Sequence, residues 1–286
     1  MAPVPNLELA SPDLLEIASV VMPNADCAGA LVARGQFHDV VLLPGVAAVR
    51  VARRTAAAAQ LPRRLALLDR LCQLNLPFAV PEPLTDAVRV GERVAAAVSW
   101  LPGKPLPQGE GHPARLGALL ASLANVSLDD VADLLDRPHA YAGGDGWYDL
   151  LVSEAIPLLP ERLQDTAKRR VDDAAALSPV PPCLVHGDLG GANLHWDADG
   201  SLVGVLDWDL AQPFDQAVDV ACLGQQGWDN VRAAVGPNTY ERARVWSRTF
   251  GIEQIVAALT NGEPDDVVNR FVEATVRSLD ASEADQ

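Results

Sequence analysis

The sequence predicts an α+β fold of two lobes, in which an antiparallel sheet with one principal helix precedes a mostly helical lobe. Three observations support this prediction. Short apolar runs separated by turn residues fill residues 30–52 and 88–100, helical periodicity dominates from residue 113 onward, and one hairpin pattern interrupts the later helices. A chain of 286 residues is also long for one compact core, so a two-lobed unit or two domains is expected.

The first lobe is predicted to open with a helix, because Ser11-Pro12-Asp13 begins an apolar segment and proline is tolerated in the first helical turn. Leucines at helical spacing predict a second helix from Thr55 to Leu74. Around these helices, apolar runs bounded by turn residues predict the strands. The strands are expected at Ala30–Ala33, Val40–Leu43, Val46–Ala52, Val88–Val90 and Arg93–Trp100.

A proline-rich stretch, Leu101–Pro107, divides the chain, because proline lacks an N–H group and cannot continue regular structure. We therefore predict an N-terminal lobe of residues 1–101 and a C-terminal lobe of residues 102–286. In the second lobe the periodicity predicts helices at Pro113–Asn125, Asp129–Leu135, Trp147–Leu159, Glu161–Leu177, Val218–Gln226, Thr239–Phe250, Ile252–Leu259 and Asp265–Leu279.

The most informative stretch is L-V-H-G-D-L-G-G-A-N-L-H-W-D-A-D-G-S-L-V-G-V-L-D-W-D-L, which spans residues 184–210. Within it, Asp199-Gly200 is typical of a hairpin turn, since glycine readily adopts positive φ. Folding this hairpin would bring Asn193, just before the first strand, close to Asp207, just after the second. Asp188 lies five residues before Asn193, on a loop that contains three glycines.

Two carboxylates and a carboxamide gathered in this way form an all-oxygen site, which suits Mg²⁺ and leaves coordination positions for phosphate oxygens. The order Asp, Asn, Asp matches phosphoryl-transfer sites, where the first Asp takes the proton of the attacking hydroxyl. Alternatively, these residues are only turn formers in two polar loops. One motif alone would be weak, but all three in this order and spacing favour the metal site.

The residues H-G-D-L-x-x-x-N-L and G-V-L-D-W-D resemble the motifs of the aminoglycoside phosphotransferase superfamily, antibiotic kinases related to protein kinases. The resemblance covers most of the chain, with the specific motifs in the second half. It implies a protein-kinase-like fold, with Asp188 as the catalytic base and Asn193 and Asp207 as Mg²⁺ ligands. Gly35-Gln36-Phe37-His38 and the segment 186–191 further resemble the viomycin and capreomycin phosphotransferases.

The same resemblance implies a nucleotide site. Gly35 lies in the turn that would cover the phosphates, and Arg50 stands where the family carries a lysine that holds the α- and β-phosphates. The interlobe hinge, whose backbone would bind adenine, is placed by position at Ser99, Trp100 and Leu101. The alternatives are an ordinary hairpin turn at Gly35 and a strand-end arginine reaching solvent at Arg50.

One departure affects this site. Arg64 stands where the family's helix normally offers a glutamate to the strand lysine, and Asp69 is a possible substitute further along the helix. The departure puts the lysine–glutamate pair in doubt and leaves the metal ligands untouched.

Further roles follow from the resemblance. His186 matches the histidine that supports the catalytic loop, and Asp219 matches an aspartate that ties this loop in place. The acceptor pocket of the family lies after the metal site, where charge and aromatic faces are candidate contacts for a cation. The residues there are Asp209, Asp215, Trp228 and Asp229, each of which could equally be a solvated surface residue.

With 38 acidic and 22 basic residues, the net charge of −16 argues against nucleic acid as a partner and suits a cationic small molecule, although solubility alone would also explain it. No apolar run is long enough to span a membrane, and the first residues lack the pattern of a signal peptide. The four cysteines form no C-x-x-C pair. We therefore expect a cytoplasmic protein with reduced thiols.

Together these observations predict transfer of a phosphoryl group from ATP, with GTP not excluded, to a hydroxyl of a cationic antibiotic. The resemblance implies an aminoglycoside or a viomycin-type peptide as the substrate and antibiotic resistance as the outcome. One alternative is a kinase for a metabolite such as choline or homoserine. The other is a non-catalytic nucleotide-binding pseudokinase, suggested by Arg50 and Arg64.

Overall fold

The structure, a computed structural model, describes residues 7–284, with side chains described up to residue 281. It confirms the predicted α+β fold. The strands are β1 (Leu7–Leu9), β2 (Leu31–Arg34), β3 (His38–Leu43), β4 (Ala47–Ala52), β5 (Val88–Val90), β6 (Arg93–Ser99), β7 (Cys183–Val185), β8 (Leu194–Trp196), β9 (Leu202–Val205) and β10 (Gln212–Phe214). The helices are α1 (Pro12–Val21), α2 (Thr55–Cys72), α3 (Pro113–Ala124), α4 (Trp147–Leu150), α5 (Glu161–Ala175), α6 (Ala217–Cys222), α7 (Trp228–Ala234), α8 (Pro237–Ser247), α9 (Phe250–Thr260) and α10 (Asp265–Ala284).

The N-terminal lobe is a six-stranded sheet in the order β1-β2-β3-β4-β6-β5, with every neighbouring pair antiparallel. Because side chains alternate between the faces of a strand, β4 and β6 serve two cores. Val49 and Val51 belong to the cluster that contains α1, whereas Ala96 and Val98 belong to the cluster that contains α2. Arg50, between Val49 and Val51, therefore faces the α2 side of the sheet.

The helix α2 also packs against the C-terminal lobe, and its leucines share one continuous hydrophobic cluster with α3, β7 and the later helices. Polar contacts reinforce this packing. Arg63 donates hydrogen bonds to the carbonyl oxygens of Leu134 (3.2 Å) and Leu135 (2.7 Å), and Arg70 donates to the carbonyl oxygen of Asp130. The helix is thus fixed to the C-terminal lobe as well as to the sheet.

Two predicted helices of the C-terminal lobe are wrong in detail. In place of a helix at 129–135 the structure has only a 3₁₀ turn, Leu128–Asp130. Arg70 of α2 donates to the carbonyl oxygen of Asp130, which in a helix would accept the N–H of Leu134. The segment predicted as one helix from residue 147 begins as α4. It continues as a wider π-type turn, Leu151–Ala155, and a 3₁₀ turn, Ile156–Leu158, where Pro157 lacks the N–H that an α-helix needs.

Three short elements were not predicted, namely β1, β10 and α7. Of these, β10 positions the site most directly, because it pairs antiparallel with β7 and places Gln212 opposite Val185. The predicted hairpin is present as β8 and β9. No helix within residues 7–284 is long and apolar enough to cross a membrane.

Candidate active site

The loop that carries Asp188 begins directly after β7 and turns at Gly187, which has a φ of +85°. A β-carbon at this position would lie 2.3 Å from the carbonyl oxygen of Leu210, closer than any side chain could be accommodated. Only glycine permits this close approach of the loop to the segment that follows Asp207. The backbone therefore brings the two predicted halves of the site together.

Asp188 and Asn193 are in direct contact. The Asn193 side-chain amide donates to the Asp188 carbonyl oxygen (2.8 Å) and to the carboxylate Oδ2 of Asp188 (3.1 Å). Burial and the nearby charge of Asp207 raise the pKa of Asp188 to about 7, although the hydrogen bond from Asn193 opposes the shift. A carboxylate with a pKa near neutrality suits a general base at physiological pH.

Asp207 follows the hairpin, as the sequence predicts, and the N–H of Leu206 donates to the Asn193 carbonyl oxygen at 2.8 Å. Asp207 has a φ of +56°, a left-handed conformation that is uncommon for residues other than glycine, although aspartate tolerates it better than most. About half of its side chain, 53%, is exposed. Its recessed position and the nearby carboxylate of Asp209 raise its pKa, and Arg50 opposes this shift.

These groups fit a magnesium ion by their donor chemistry. Because Asn193 uses its amide nitrogen for Asp188, its side-chain oxygen is left for a metal, beside the accessible carboxylate of Asp207. No group of three or more His, Cys, Asp or Glu side chains within the described residues could hold a metal ion. A pair of oxygen ligands agrees with Mg²⁺, which usually keeps several positions for water and substrate phosphates.

The loop around Asp188 is held by two buried side chains. The Asp219 carboxylate accepts the backbone N–H groups of His186 (2.8 Å) and Gly187 (2.9 Å). The His186 ring contacts the Leu206 carbonyl oxygen through Nε2 (2.7 Å), and its Nδ1 accepts the N–H of Asp188 (3.2 Å). Burial lowers the pKa of His186 to about 4, so the ring is neutral and can accept at Nδ1 while Nε2 donates.

Arg50 lies across the cleft from this loop and is 8% exposed. Its Nη2 forms an ion pair with Oδ2 of Asp209 and lies 3.8 Å from Oδ1 of Asp207. Asp209, a predicted substrate contact, is buried in this structure and paired with Arg50. Burial alone would raise the pKa of Asp209, but the charge of Arg50 and hydrogen bonds from Arg50 and His38 hold that pKa well below its usual range.

The helix α2 offers no glutamate to Arg50, because Arg64 stands at the position where the family carries that acid. Instead, both Arg63 and Arg64 form ion pairs with Asp136. The backbone N–H of Asp136 donates to the carbonyl oxygen of Ala211 at 3.0 Å. Ala211 lies two residues after Asp209, so this bond places Asp136 near the site. The suggested substitute, Asp69, instead accepts a hydrogen bond from Gln73 at 3.0 Å on the exposed side of α2.

The segments expected to hold the nucleotide have backbone suited to that role. The turn at Gly35 is a tight hairpin in which the Gly35 N–H donates to the His38 carbonyl oxygen (2.9 Å), and Arg53 donates to the Gly35 carbonyl oxygen (2.7 Å). In the hinge, the Ser99 N–H donates to the Glu82 carbonyl oxygen at 2.7 Å. The next backbone groups, the carbonyl of Trp100 and the N–H of Leu101, have no hydrogen-bond partner within residues 7–284.

The other expected substrate contacts differ in their surroundings. Asp215, a predicted substrate contact, is buried and accepts hydrogen bonds from Arg242 (2.7 Å) and from the indole N–H of Trp246 (3.0 Å). Trp228 packs edge-on against Tyr240 and carries the guanidinium of Arg244 at 4.4 Å from its ring centre. Asp229 is exposed in the first turn of α7 and remains a candidate contact.

Sequence reasoning assigned no role to His38, Asp136 or Gln225, which the structure places at the site. Val40 of β3 lies opposite Arg50 of β4. His38 is two residues from Val40 on the same strand, so its side chain lies on the same face of the sheet as that of Arg50 and can reach it. That register could have been derived from the predicted hairpin. The other two residues had no local signal, since Gln225 contacts the loop from 34 residues away, through its Oε1 and the Gly191 N–H at 3.3 Å.

Comparison with known proteins agrees with this geometry. The model of the phosphotransferase enzyme family, APH, matches residues 32–254. A viomycin phosphotransferase from Streptomyces vinaceus is 29% identical over 276 residues, which covers 89% of this chain and 95% of that protein.

Solved structures show the same fold at lower identity. The complex of APH(2″)-IIIa with GDP and kanamycin aligns with a TM-score of 0.79 at 15% identity, over 96% of this chain and 100% of that one. The ternary complex of APH(2″)-IIa with streptomycin and ATP aligns with a TM-score of 0.66 at 16% identity, over 94% and 96%. Because the family model matches most of this chain, the chain belongs to the phosphotransferase enzyme family APH.

Proposed function

We propose that this protein transfers the γ-phosphoryl group of a nucleoside triphosphate, with ATP as the default donor, to a hydroxyl of a cationic antibiotic. The observation that carries the proposal is the contact of Asp188 with Asn193 on one loop, with Asp207 beside them and Arg50 across the cleft. Such an arrangement contains the parts that phosphoryl transfer needs, a base, a metal site and a cation for the phosphates.

In this proposal Asp188 orients the acceptor hydroxyl and accepts its proton. The hydrogen bond from Asn193 engages Oδ2 of Asp188 and leaves Oδ1 available to the acceptor. Asn193 and Asp207 would hold Mg²⁺, which when bound neutralises phosphate charge. The buried Asp219 and His186 keep the loop in the shape that presents Asp188 to the cleft.

The nucleotide would lie between the sheet and the catalytic loop. We infer that the Gly35 turn covers its phosphates, that Arg50 contacts them, and that the free backbone groups of Trp100 and Leu101 bind the base, with Ser99 anchoring the hinge. The structural relatives bind GDP in one case and ATP in the other. Both bases are therefore compatible with this fold, and the donor is decided by experiment.

A viomycin-type peptide is the acceptor that we favour. The relative that acts on viomycin matches 89% of this chain, and the net charge of −16 favours approach of a cationic molecule. Asp229 remains a candidate contact, and Arg244 competes with a substrate cation for the ring of Trp228. Phosphorylation of such an antibiotic would confer resistance, and we place the reaction in the cytoplasm.

An acceptor screen tests the proposal. ADP release in the presence of ATP and Mg²⁺ would be measured with viomycin, capreomycin, aminoglycosides, macrolides, choline and homoserine, and repeated with GTP. We expect turnover with viomycin or capreomycin. Turnover with choline or homoserine alone would instead identify a metabolite kinase. Nucleotide binding without turnover on any acceptor would support the pseudokinase.

A further inference from the structure

We propose that His38 and Asp209 are positioning residues that together hold Arg50 for the nucleotide phosphates, in place of a glutamate on α2. The inference rests on the proposed nucleotide site. It assigns roles to two residues that touch Arg50 and would not themselves touch the substrate. It also explains how the chain can function with an arginine at position 64.

The contacts are specific. Nη2 of Arg50 is ion-paired with Oδ2 of Asp209 and lies 3.1 Å from Nδ1 of His38. The same histidine nitrogen lies 3.2 Å from Oδ2 of Asp209. It can accept from Arg50 or donate to Asp209, and either hydrogen bond joins His38 to the ion pair. All three side chains are nearly inaccessible, at 5%, 8% and 6% exposed for His38, Arg50 and Asp209. Two contacts to Nη2 in such buried surroundings restrict the movement of the Arg50 guanidinium.

Holding Arg50 in this way leaves part of its donor set for a ligand. A guanidinium carries five N–H donors, and His38 and Asp209 contact only Nη2. The atoms Nε and Nη1 of Arg50 have no hydrogen-bond partner within the described residues. Since Nη2 is also 3.8 Å from Oδ1 of Asp207, the guanidinium lies beside the predicted metal site. A nucleotide phosphate bound here would accept hydrogen bonds from these donors.

The helix α2 cannot supply the acidic partner. Arg64, at the position where a glutamate would face Arg50, is 8% exposed and bound to Asp136. Two buried cations without acids between them would be unstable, because each must be paired when it is removed from water. The acids therefore come from the C-terminal lobe, with Asp209 for Arg50 and Asp136 for Arg64.

Unpaired polar atoms concentrate at the same place. Five buried side-chain nitrogen and oxygen atoms of the described residues lack a hydrogen-bond partner, and three of them are His38 Nε2, Arg64 Nη1 and Asp209 Oδ1. Each such atom normally lowers stability. Their concentration around Arg50 indicates that the cluster of His38, Arg50 and Asp209 is arranged for ligand binding rather than for stability alone.

The cluster also couples the two lobes. Arg50 and His38 belong to the sheet, whereas Asp209 follows the hairpin of the C-terminal lobe, two residues after Asp207. Correct placement of Arg50 therefore requires the lobes to adopt the arrangement seen here. The inference predicts that disruption of the cluster weakens nucleotide binding and leaves binding of the acceptor largely unchanged.

Three variants test this directly. Asp209→Asn keeps the shape and removes the charge, His38→Leu removes the ring nitrogen, and His38→Asn restores a polar atom near the position of Nδ1. We expect Asp209→Asn to raise the nucleotide KM and the nucleotide Kd about 10- to 100-fold, the range for loss of one charge-assisted hydrogen bond. His38→Leu should act in the same direction, and His38→Asn should recover part of the loss.

A matched control is available in the pair of Arg54 and Glu263, joined at 2.7 Å. Like Asp209, Glu263 is a carboxylate with a side chain only 6% exposed, and it also bonds an arginine of the sheet lobe from the C-terminal lobe. Glu263→Gln should lower thermal stability without changing the nucleotide Kd by more than about twofold, because Arg54 lies outside the cluster. This variant separates loss of an interlobe ion pair from loss of the support for Arg50.

The measurements are nucleotide titration with Mg²⁺ by calorimetry and steady-state KM values for nucleotide and acceptor, after thermal unfolding has shown that each variant is folded. If Asp209→Asn does not fold, the two His38 variants decide the question. An unchanged nucleotide Kd in His38→Leu, or an equal loss in Glu263→Gln, would overturn the inference. If wild type binds nucleotide and the variants weaken it, yet no acceptor reacts, the inference stands and the proposed transfer reaction fails.

Discussion

The carboxylate of Asp219 accepts hydrogen bonds from the backbone of His186 at 2.8 Å and of Gly187 at 2.9 Å, one to each oxygen. These are the two residues that precede Asp188. The position of the predicted base is therefore fixed by a residue of α6 that lies 31 positions later in the chain and is fully buried. Such support is the kind that keeps a reacting group within the small tolerance that catalysis requires.

Asp219→Asn is expected to impair catalysis more than binding. The side-chain NH2 group that replaces one carboxylate oxygen would face a backbone N–H of the loop, so two donors would meet. The N–H left without an acceptor costs about 1 to 3 kcal/mol. We expect kcat to fall about 10- to 100-fold with little change in nucleotide KM, because the loop shifts while the nucleotide site remains. Asp215→Asn, on the same segment and also buried, should reduce stability alone, and an equal loss of kcat there would contradict this role.

Asp207→Asn tests the metal site. Removing one carboxylate charge from the pair of oxygen ligands should weaken binding of the Mg²⁺–nucleotide complex about 10- to 100-fold. Binding of nucleotide in the presence of a chelator should be unchanged, because Arg50 and the hinge do not depend on the metal. Titration calorimetry with and without Mg²⁺ measures these two affinities separately. Equal affinities of wild type and variant for the magnesium complex would remove Asp207 from the ligand set.

Arg64→Glu restores the residue type that the family carries at this position, and we expect it to be harmful here. The new carboxylate would face Asp136, which already pairs with Arg63, and leave a buried charge without a partner. Breaking a buried pair in this way costs about 3 to 5 kcal/mol. Urea denaturation would measure the loss, with Arg64→Lys as the control that keeps the charge. A stable and more active Arg64→Glu variant would show that α2 can pair with Arg50 after all.

Glu253 provides a prediction of pH dependence away from the site. It is 2% exposed and accepts hydrogen bonds from Tyr141, from Trp147 (3.1 Å) and from Thr249 (2.7 Å). Burial raises its pKa to about 8, from 4.5 in the unfolded chain. Between these values the folded state binds more protons than the unfolded state, so this contribution to the free energy of unfolding is lost as pH rises.

Urea titrations across that pH range would measure this loss. Glu253→Gln should reduce the loss by the part that Glu253 contributes, since an amide does not titrate and the Tyr141 hydroxyl can rotate to accept from it. The buried carboxyls of Asp188 and Asp219, whose pKa values are raised to about 7, keep their own part. Glu161→Gln on the exposed face of α5 should leave the loss in place. A Glu253→Gln profile that matches wild type would show that the shift arises elsewhere.

Much of the fold and the centre of the site could be predicted from the sequence, because both are encoded locally. The hairpin turn at Asp199-Gly200 and the spacing from Asp188 to Asn193 specify which groups meet, and the structure brings them together. Strand positions in the sheet followed from apolar runs between turns. These patterns depend on backbone geometry that neighbouring residues determine.

The partners of charged residues could not be predicted in the same way. Asp209 and Asp215 were placed near a substrate from sequence position, but each is buried against an arginine from a distant element. A sequence shows that an aspartate is present, whereas its partner depends on tertiary packing. The helix predicted at 129–135 is wrong for a related reason, because Arg63 and Arg70 of α2 form hydrogen bonds with carbonyl groups of this segment.

The central claim is that Asp188 drives phosphoryl transfer to a hydroxyl. The most direct measurement is transfer of a labelled γ-phosphoryl group from ATP and Mg²⁺ to viomycin, compared between wild type and Asp188→Asn at saturating nucleotide. We expect labelled antibiotic with wild type, and a rate about 10²- to 10⁴-fold lower in the variant with nucleotide affinity retained. Undiminished transfer by Asp188→Asn would contradict the assignment of the base.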